Sequence, residues 1–211
     1  MSPAVGDVQR GRLILVVGPS GAGKDSLISW CKARLAGDPA VIFPRRVITR
    51  ADGDDSEAHE AVDEAGFAAR LARGDFALHW RAHGLAYGIP RSVADDLAEG
   101  RTVVANVSRA VIAEARDRLA PVTVVTVTAP AALLAERLRR RDREATEAIA
   151  ARLDRAAAYA VSGPDVVVLD NSGSLDAGGM ALMGIIRGGR PLPATAGNQG
   201  GSHPDALAPI A

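Results

Sequence analysis

An apolar run, Leu13-Ile-Leu-Val-Val17, leads straight into Gly18-Pro-Ser-Gly-Ala-Gly-Lys-Asp-Ser26, and Leu27-Ile28 resume the apolar pattern behind it. The order is strand, glycine-rich turn, helix. The spacing of Gly18, four residues, Gly23 and Lys24 is that of a loop whose backbone N–H groups close round a phosphate at a helix N-terminus. Glycines let the backbone wrap the anion, and Lys24 supplies a charge that spans the β- and γ-phosphates of a nucleoside triphosphate. A lysine here is not compositional drift, because the chain holds 23 Arg but only two Lys, at 24 and 32. Position 25, where a Ser or Thr hydroxyl ordinarily ligates Mg²⁺, is Asp25, with Ser26 one place later. A carboxylate beside a triphosphate is repulsive unless a metal ion lies between them. Asp25, with Ser26, therefore either helps to hold Mg²⁺, directly or through water, or hydrogen-bonds elsewhere.

The length of 211 residues suits one domain with an ample core, or one domain plus a tail. With 25 basic and 25 acidic side chains the formal charge is zero, so the overall balance points to neither a nucleic-acid nor a membrane surface. Small acidic substrates stay open, as does a homodimer. Cys31, the single cysteine, falls on the inner face of the first helix, which argues against a disulfide framework and for a reducing compartment. Residues 1–9 lack a basic segment followed by an apolar stretch, and no apolar run approaches the length of a membrane span. A cytoplasmic protein is expected.

Downstream, Leu27, Cys31 and Leu35 recur at helical spacing, and residues 41–48 read as a short strand entering a loop. The segment 51–64 holds seven acids and no Lys or Arg, and reads as a solvated excursion or a site. A short helix around Phe67 and Leu71 ends at Gly74; Phe76–Trp80 and Leu85–Ile89 then flank Arg81-Ala-His-Gly84 as a hairpin. Pro90 is expected in the first turn of a helix reaching Glu99. Buried strands at 102–107, 121–127 and 165–169 alternate with helices at 109–119, 130–138 and 175–186, with Ser108 placed to cap the first of these. Alternating units with near-continuous Val runs imply a parallel sheet covered on both faces. The hairpin region is then an insertion that could move as a unit.

Seven Arg between 136 and 155, at 137, 139, 140, 141, 143, 152 and 155, fall on two helices split by Asp142–Thr146. They read either as a lid over the phosphates or as a surface of i, i+4 pairs with Glu136, Glu144 and Glu147. Together with the loop, the lid is favoured. The expected organisation is an N-terminal extension (1–10), a kinase domain (11–187) with an acceptor-binding insertion at about 45–90 and a lid at about 137–152, and a disordered tail (188–211). A guanine-reading Asn-Lys-x-Asp segment is missing, which disfavours a GTPase switch and favours a small-molecule kinase. Arg45, Arg46, Arg50 and Arg109 are candidates to clamp an anionic acceptor.

The succession Gly18–Lys24, Thr49-Arg50, His83-Gly84, Tyr87-Gly88, Arg137-Leu-Arg-Arg-Arg141 and Arg152-Leu153 resembles the guanylate kinase superfamily from residue 12 to about 187. Two departures stand out. Gly53 replaces a second phosphate-binding Arg, and Asn106-Val-Ser-Arg109 stands where acid-rich and Trp-Gln-Gly elements are usual. A closer resemblance is to the ribose 1,5-bisphosphate phosphokinase family of phosphonate catabolism. It rests on Lys24-Asp25-Ser26, Ile48-Thr49-Arg50, Ser56-Glu57-Ala58-His59, Leu78-His-Trp80 through Gly88, Asn106–Arg109 and Asp170-Asn171-Ser-Gly-Ser-Leu175.

That resemblance implies a guanylate kinase-like α/β fold of the P-loop NTPase type and an ATP- and Mg²⁺-dependent transfer onto the 1-phosphate of ribose 1,5-bisphosphate, giving phosphoribosyl diphosphate. Lys24, Arg137 and Arg141 are the implied catalytic residues. Gly18, Pro19, Ser20, Gly21, Ala22, Gly23, Lys24, Asp25, Ser26 and Arg143 are implied round the ATP phosphates, with Asn171 at the adenine. Arg46, Arg50, Glu57, His59, His83, Tyr87, Asn106, Ser108 and Arg109 are implied round the sugar bisphosphate. Trp80, Trp30 and Tyr159 are assigned to packing. A guanylate or other nucleoside monophosphate kinase is the alternative, with Gly53 predicting weak GMP activity. A non-catalytic binding module, which typically loses the loop lysine, is disfavoured by Lys24.

Overall fold

The computed structural model describes residues 11–50, 59–140 and 161–188. The first half runs β1 (Arg12–Val17), α1 (Lys24–Arg34), β2 (Val41–Ile42), β3 (Val47–Ile48), β4 (Glu60–Ala61), α2 (Glu64–Ala72), β5 (Phe76–Ala82) and β6 (Leu85–Pro90). The second runs α3 (Ser92–Ala98), β7 (Thr102–Asn106), a 3₁₀ turn (Arg109–Val111), α4 (Ile112–Arg118), β8 (Val122–Thr128), α5 (Ala131–Arg140), β9 (Val166–Asp170) and α6 (Leu175–Ile186).

The valine-rich runs form one wholly parallel sheet in the order β2-β7-β1-β8-β9, with β1 central. Strand side chains alternate between faces, so each run supplies two layers. Leu13, Leu15, Val17, Val103, Ala105 and Val124 meet Val93 and Leu97 of α3, Ile112 and Ala115 of α4, and Leu78, Trp80 and Ile89 of the hairpin. Ile14, Val16, Val104, Val125 and Val127 meet Leu27 and Cys31 of α1, Leu134 of α5, and Leu182, Ile185 and Ile186 of α6. Each such aliphatic side chain contributes about 1.5–3 kcal/mol when fully removed from water. Burial pushes the Cys31 thiol up to about 11, against a smaller opposing pull from Arg34, so it is an unreactive packing residue at neutral pH.

A second sheet, β4-β3-β6-β5, stands beside the first, antiparallel except for the β3–β4 pair. Its hairpin turns through His83 and Gly84, both at positive φ (53° and 74°), the conformation of a two-residue type I′ loop. Phe67 of α2 stacks on Phe76 of β5, ring centroids 4.7 Å apart, in a small cluster with Val47 and Ala86.

Several local expectations shift. The single strand expected over 41–48 is two, β2 in the main sheet and β3 in the second, so the chain changes sheets within Phe43–Arg46. Pro90 ends β6, opposite Phe76, and the helix after it starts at Ser92. The hairpin is not packed apart from the main core: Leu78, Trp80 and Ile89 share a cluster with β1 and β7. Among the described residues no helix is long and apolar enough to cross a membrane. Residues 1–10 and 189–211, Glu57, and the lid beyond Arg140 with Arg141 and Arg143 lie outside the described residues, as does Tyr159.

Candidate active site

In an open parallel sheet, ligands bind beyond the carboxyl ends of the strands, where the strand order reverses. Here that place is the end of β1, between β7 and β8, and the glycine-rich loop occupies it. Two glycines are dictated by space as well as by backbone angle. A Cβ on Gly18 (φ +148°) would stand 2.3 Å from the Val127 carbonyl oxygen, and one on Gly23 (φ +87°) 2.6 Å from Asn171 Nδ2. Gly23 leads into α1 in the left-handed conformation, and no side chain caps that helix. The first turn of α1 thus follows the loop directly, the arrangement that receives an anion. Lys24 Nζ donates to the Gly18 and Pro19 carbonyls at 2.9 and 3.0 Å, holding its charge over the loop.

A cleft of ≈ 440 Å³ opens from this loop. From the nucleotide set it is lined by Gly18, Pro19, Ser20, Lys24 and Asp25; from the acceptor set, by Arg46, Arg50, His83, Tyr87, Asn106, Ser108 and Arg109. They arrive from the glycine-rich loop and the start of α1, from either side of β3, from the hairpin, and from the end of β7 with the 3₁₀ turn behind it. Thr49 fixes the strand before Arg50, its backbone N–H donating to the Ala86 carbonyl (3.1 Å) while its hydroxyl oxygen accepts from the Ala86 N–H (2.8 Å). Ser108 Oγ accepts from the Ala110 N–H at 3.3 Å and so caps the 3₁₀ turn that begins with Arg109. Asn106 Nδ2 donates to Asp25 Oδ1 at 2.5 Å.

Other expected residues fall outside the lining of this cleft. Asn171 is buried, 5% exposed, and does not line the cleft; its Nδ2 donates to the Ala22 carbonyl at 2.7 Å beneath the loop. Its own carbonyl accepts from Arg137 Nη2 at 2.9 Å. Arg137 Nη1 is buried without a hydrogen-bond partner among the described residues, and lies 3.9 Å from where a Cβ on Gly23 would stand. Gly21 and Ala22 form the loop's packed side, Gly21 against Leu134 and Leu138 of α5. Ser26 is exposed and outside the cleft. His59 lies outside the lining as well, its backbone carbonyl held by Arg45 Nη2 at 3.3 Å.

Sequence reasoning missed part of the wall. Trp80, assigned to packing, is both: it is 8% exposed, belongs to the core, and lines the cleft with Ile48, Ala82, Val107 and Leu138. Its ring lies parallel to Tyr87, centroids 5.3 Å apart with 3° between planes, and the Arg46 guanidinium sits 5.7 Å from the Tyr87 ring centre. The signal available was hairpin register. A two-residue loop at His83-Gly84 sets Trp80 opposite Tyr87.

Among the described residues no group of three or more His, Cys, Asp or Glu could enclose a metal ion. The glycine-built loop at the mouth of the cleft, Lys24 held over it and the uncommitted Arg137 Nη1 beside it fit a polyphosphate, and the single carboxylate of the cleft lining, Asp25, fits a Mg²⁺ ion shared with one.

No protein-family model matches the chain. It is 51% identical over 183 residues to the ribose 1,5-bisphosphate phosphokinase PhnN of Rhodopseudomonas palustris, covering 87% of this chain and 92% of that one. The same figure, 51% over 183 residues, holds for the ribose 1,5-bisphosphate phosphokinase PhnN of Acidiphilium cryptum, covering 87% and 96%. Among solved structures, a guanylate kinase from Anaplasma phagocytophilum superposes with a TM-score of 0.61 at 19% identity, covering 88% of this chain and 89% of that one. That likeness establishes the guanylate kinase-like α/β fold.

Proposed function

The chain belongs to the ribose 1,5-bisphosphate phosphokinase family, and from that premise we propose that it is an enzyme transferring the γ-phosphoryl group of ATP to the 1-phosphate of ribose 1,5-bisphosphate, yielding 5-phospho-α-D-ribose 1-diphosphate and ADP. The observation that carries the reading is a single cleft lined both by the lysine-bearing loop and by Arg46, Arg50 and Arg109. Those guanidiniums suit a doubly phosphorylated sugar, whose phosphates they can grip bidentately.

A phosphate monoester has its second pKa near 6, so the attacking oxygen is already ionised at neutral pH and no general base is needed. That oxygen forms a bond to the γ-phosphorus as the bond to the β–γ bridging oxygen breaks, and the electron pair leaves with ADP. The protein's work is positioning and charge neutralisation. Lys24, held at the loop, and Arg137, braced by Asn171, stabilise the transferring group. Arg141 and Arg143 join them from the lid in this reading, and Glu57 and His59 join the acceptor side. Asp25 would hold Mg²⁺ together with the phosphates, and the bound ion would offset polyphosphate charge. Tyr87, Asn106 and Ser108 belong to the acceptor wall, with His83 at its rim. Cytoplasmic operation on small molecules, without a nucleic-acid or membrane partner, belongs to the same reading.

The test is ³¹P NMR of the protein with Mg²⁺-ATP and ribose 1,5-bisphosphate, with GMP as a rival acceptor. A diphosphate signal should grow on C1 of ribose and fall on the order of 10²–10³-fold in rate in Lys24→Ala. ADP formation with GMP alone would overturn the acceptor.

A further inference from the structure

Asp25 stands where a phosphate-binding loop ordinarily carries a Ser or Thr hydroxyl for Mg²⁺; the ordinary partner of that hydroxyl is an Asp from a neighbouring strand. In this chain the neighbouring strand is β7, whose last residue, Asn106, is in register with Val16 of β1 just before the loop. Asn106 is 8% exposed, and its Nδ2 reaches across 81 positions of sequence to Asp25 Oδ1 at 2.5 Å. The carboxylate and its neutral partner have thus changed places: the anion is on the loop and the neutral side chain on the strand.

We infer that Asn106 is a positioning residue for the metal-bound nucleotide, acting through Asp25. The inference rests on the reading of the loop as an ATP site. An amide is suited to this task. It donates to one carboxylate oxygen, restricts the side-chain rotamer, and leaves the negative charge in place for a cation. A second carboxylate at 106 would repel the first at this distance. An apolar side chain would leave Asp25 without its partner. Removing an outer partner of a metal ligand typically weakens metal affinity 10–100-fold. Asn106 also ends the strand that leads to Ser108 and Arg109, so the same residue joins the nucleotide half of the cleft to its acceptor half.

The test uses the full chain, Mn²⁺ as a paramagnetic stand-in, and a non-hydrolysable β,γ-imido ATP analogue with and without the metal, with protein-bound analogue counted by equilibrium dialysis, Mn²⁺ followed by EPR, and no acceptor present. Asn106→Ala and Asp25→Asn should each weaken binding of the Mn²⁺-loaded analogue by roughly tenfold or more, and the double variant should be no weaker than Asp25→Asn alone. The metal-free analogue separates this role from a structural one. Its affinity should be unchanged in Asn106→Ala and higher in Asp25→Asn, where repulsion has gone. Asp25→Ser with Asn106→Asp returns the parts to their ordinary places and should recover Mn²⁺ binding; it carries the test if Asn106→Ala fails to melt cooperatively.

Wild-type-like Mn²⁺ binding in Asn106→Ala would overturn the inference, as would equal loss with and without metal. Because the assay contains no acceptor, those results would leave the choice of ribose 1,5-bisphosphate untouched. Failure of the wild-type chain to bind the loaded analogue would overturn the nucleotide reading and this inference together.

Discussion

Asn171 separates what a motif implies from what a side chain does. Its resemblance-based place is at the adenine, yet its amide donates to the Ala22 carbonyl and its own carbonyl receives Arg137. It also stands 2.6 Å from the missing Cβ of Gly23 and 2.5 Å from that of Gly178, so loop, α5 and α6 are all fitted round it. Asn171→Ala leaves a buried carbonyl without its donor, a loss of about 1–3 kcal/mol. The urea midpoint should fall accordingly, while the ratio of kcat/KM for ATP to that for GTP stays as in the parent. A changed ratio at unchanged stability would return Asn171 to the base. Contacts of this kind, like that between Asn106 and Asp25, span about 150 and about 80 positions; no local pattern in a sequence encodes them.

At the scale of elements, legibility follows hydrogen-bonding range. The main strands are readable because burial on both faces demands continuous apolar runs, and α6 is readable over Leu175–Ile186 because Ser174 caps it by accepting from the Ala177 N–H. The two-residue strand β4 is not readable, and β3 is readable only as the end of a single strand over 41–48, without its change of sheet. Each is defined by a partner elsewhere in the chain, and Glu60–Ala61 lies within an acid-rich stretch that reads as loop. The start of α2 hides there too, at Asp63, whose side chain accepts from the Gly66 N–H at 2.7 Å.

The hairpin carries the functional consequence, because its alternation turns Trp80 toward both core and cleft. The other tryptophan, Trp30, is not part of the cleft lining; it packs on Gly179 with its indole N–H donated to Asp176. In a Trp30→Phe background, ribose 1,5-bisphosphate should therefore shift the fluorescence of the remaining Trp80, while Mg²⁺-ATP alone should leave it nearly unchanged. Trp80→Phe should raise the acceptor KM several-fold with little change in that for ATP. Equal effects on both substrates would remove the hairpin from the acceptor wall.

For the whole molecule, the relation between the two sheets decides how it opens. An insertion that moved freely would need its own core, but the base of the hairpin is built into the cluster of β1, β7, α3 and α4. What remains of the second sheet, with α2, gathers round Val47, Phe67, Phe76 and Ala86, a much smaller set. Local stability tracks buried apolar contact. The two sheets should therefore lose structure together in urea, with the far-UV circular dichroism and the Trp80 fluorescence of the Trp30→Phe chain giving coincident transitions. Amide exchange within the native state should be graded instead, with α2 and β4 exchanging ahead of β5 and β6, and β1 last. If Arg46 and Arg50, on either side of β3, grip ribose 1,5-bisphosphate as proposed, that ligand should slow exchange in β3 and β4 and leave β1 unaffected. A separate early transition in Trp80 fluorescence would mean that the hairpin is a unit of its own, apart from the core it shares with β1 and β7.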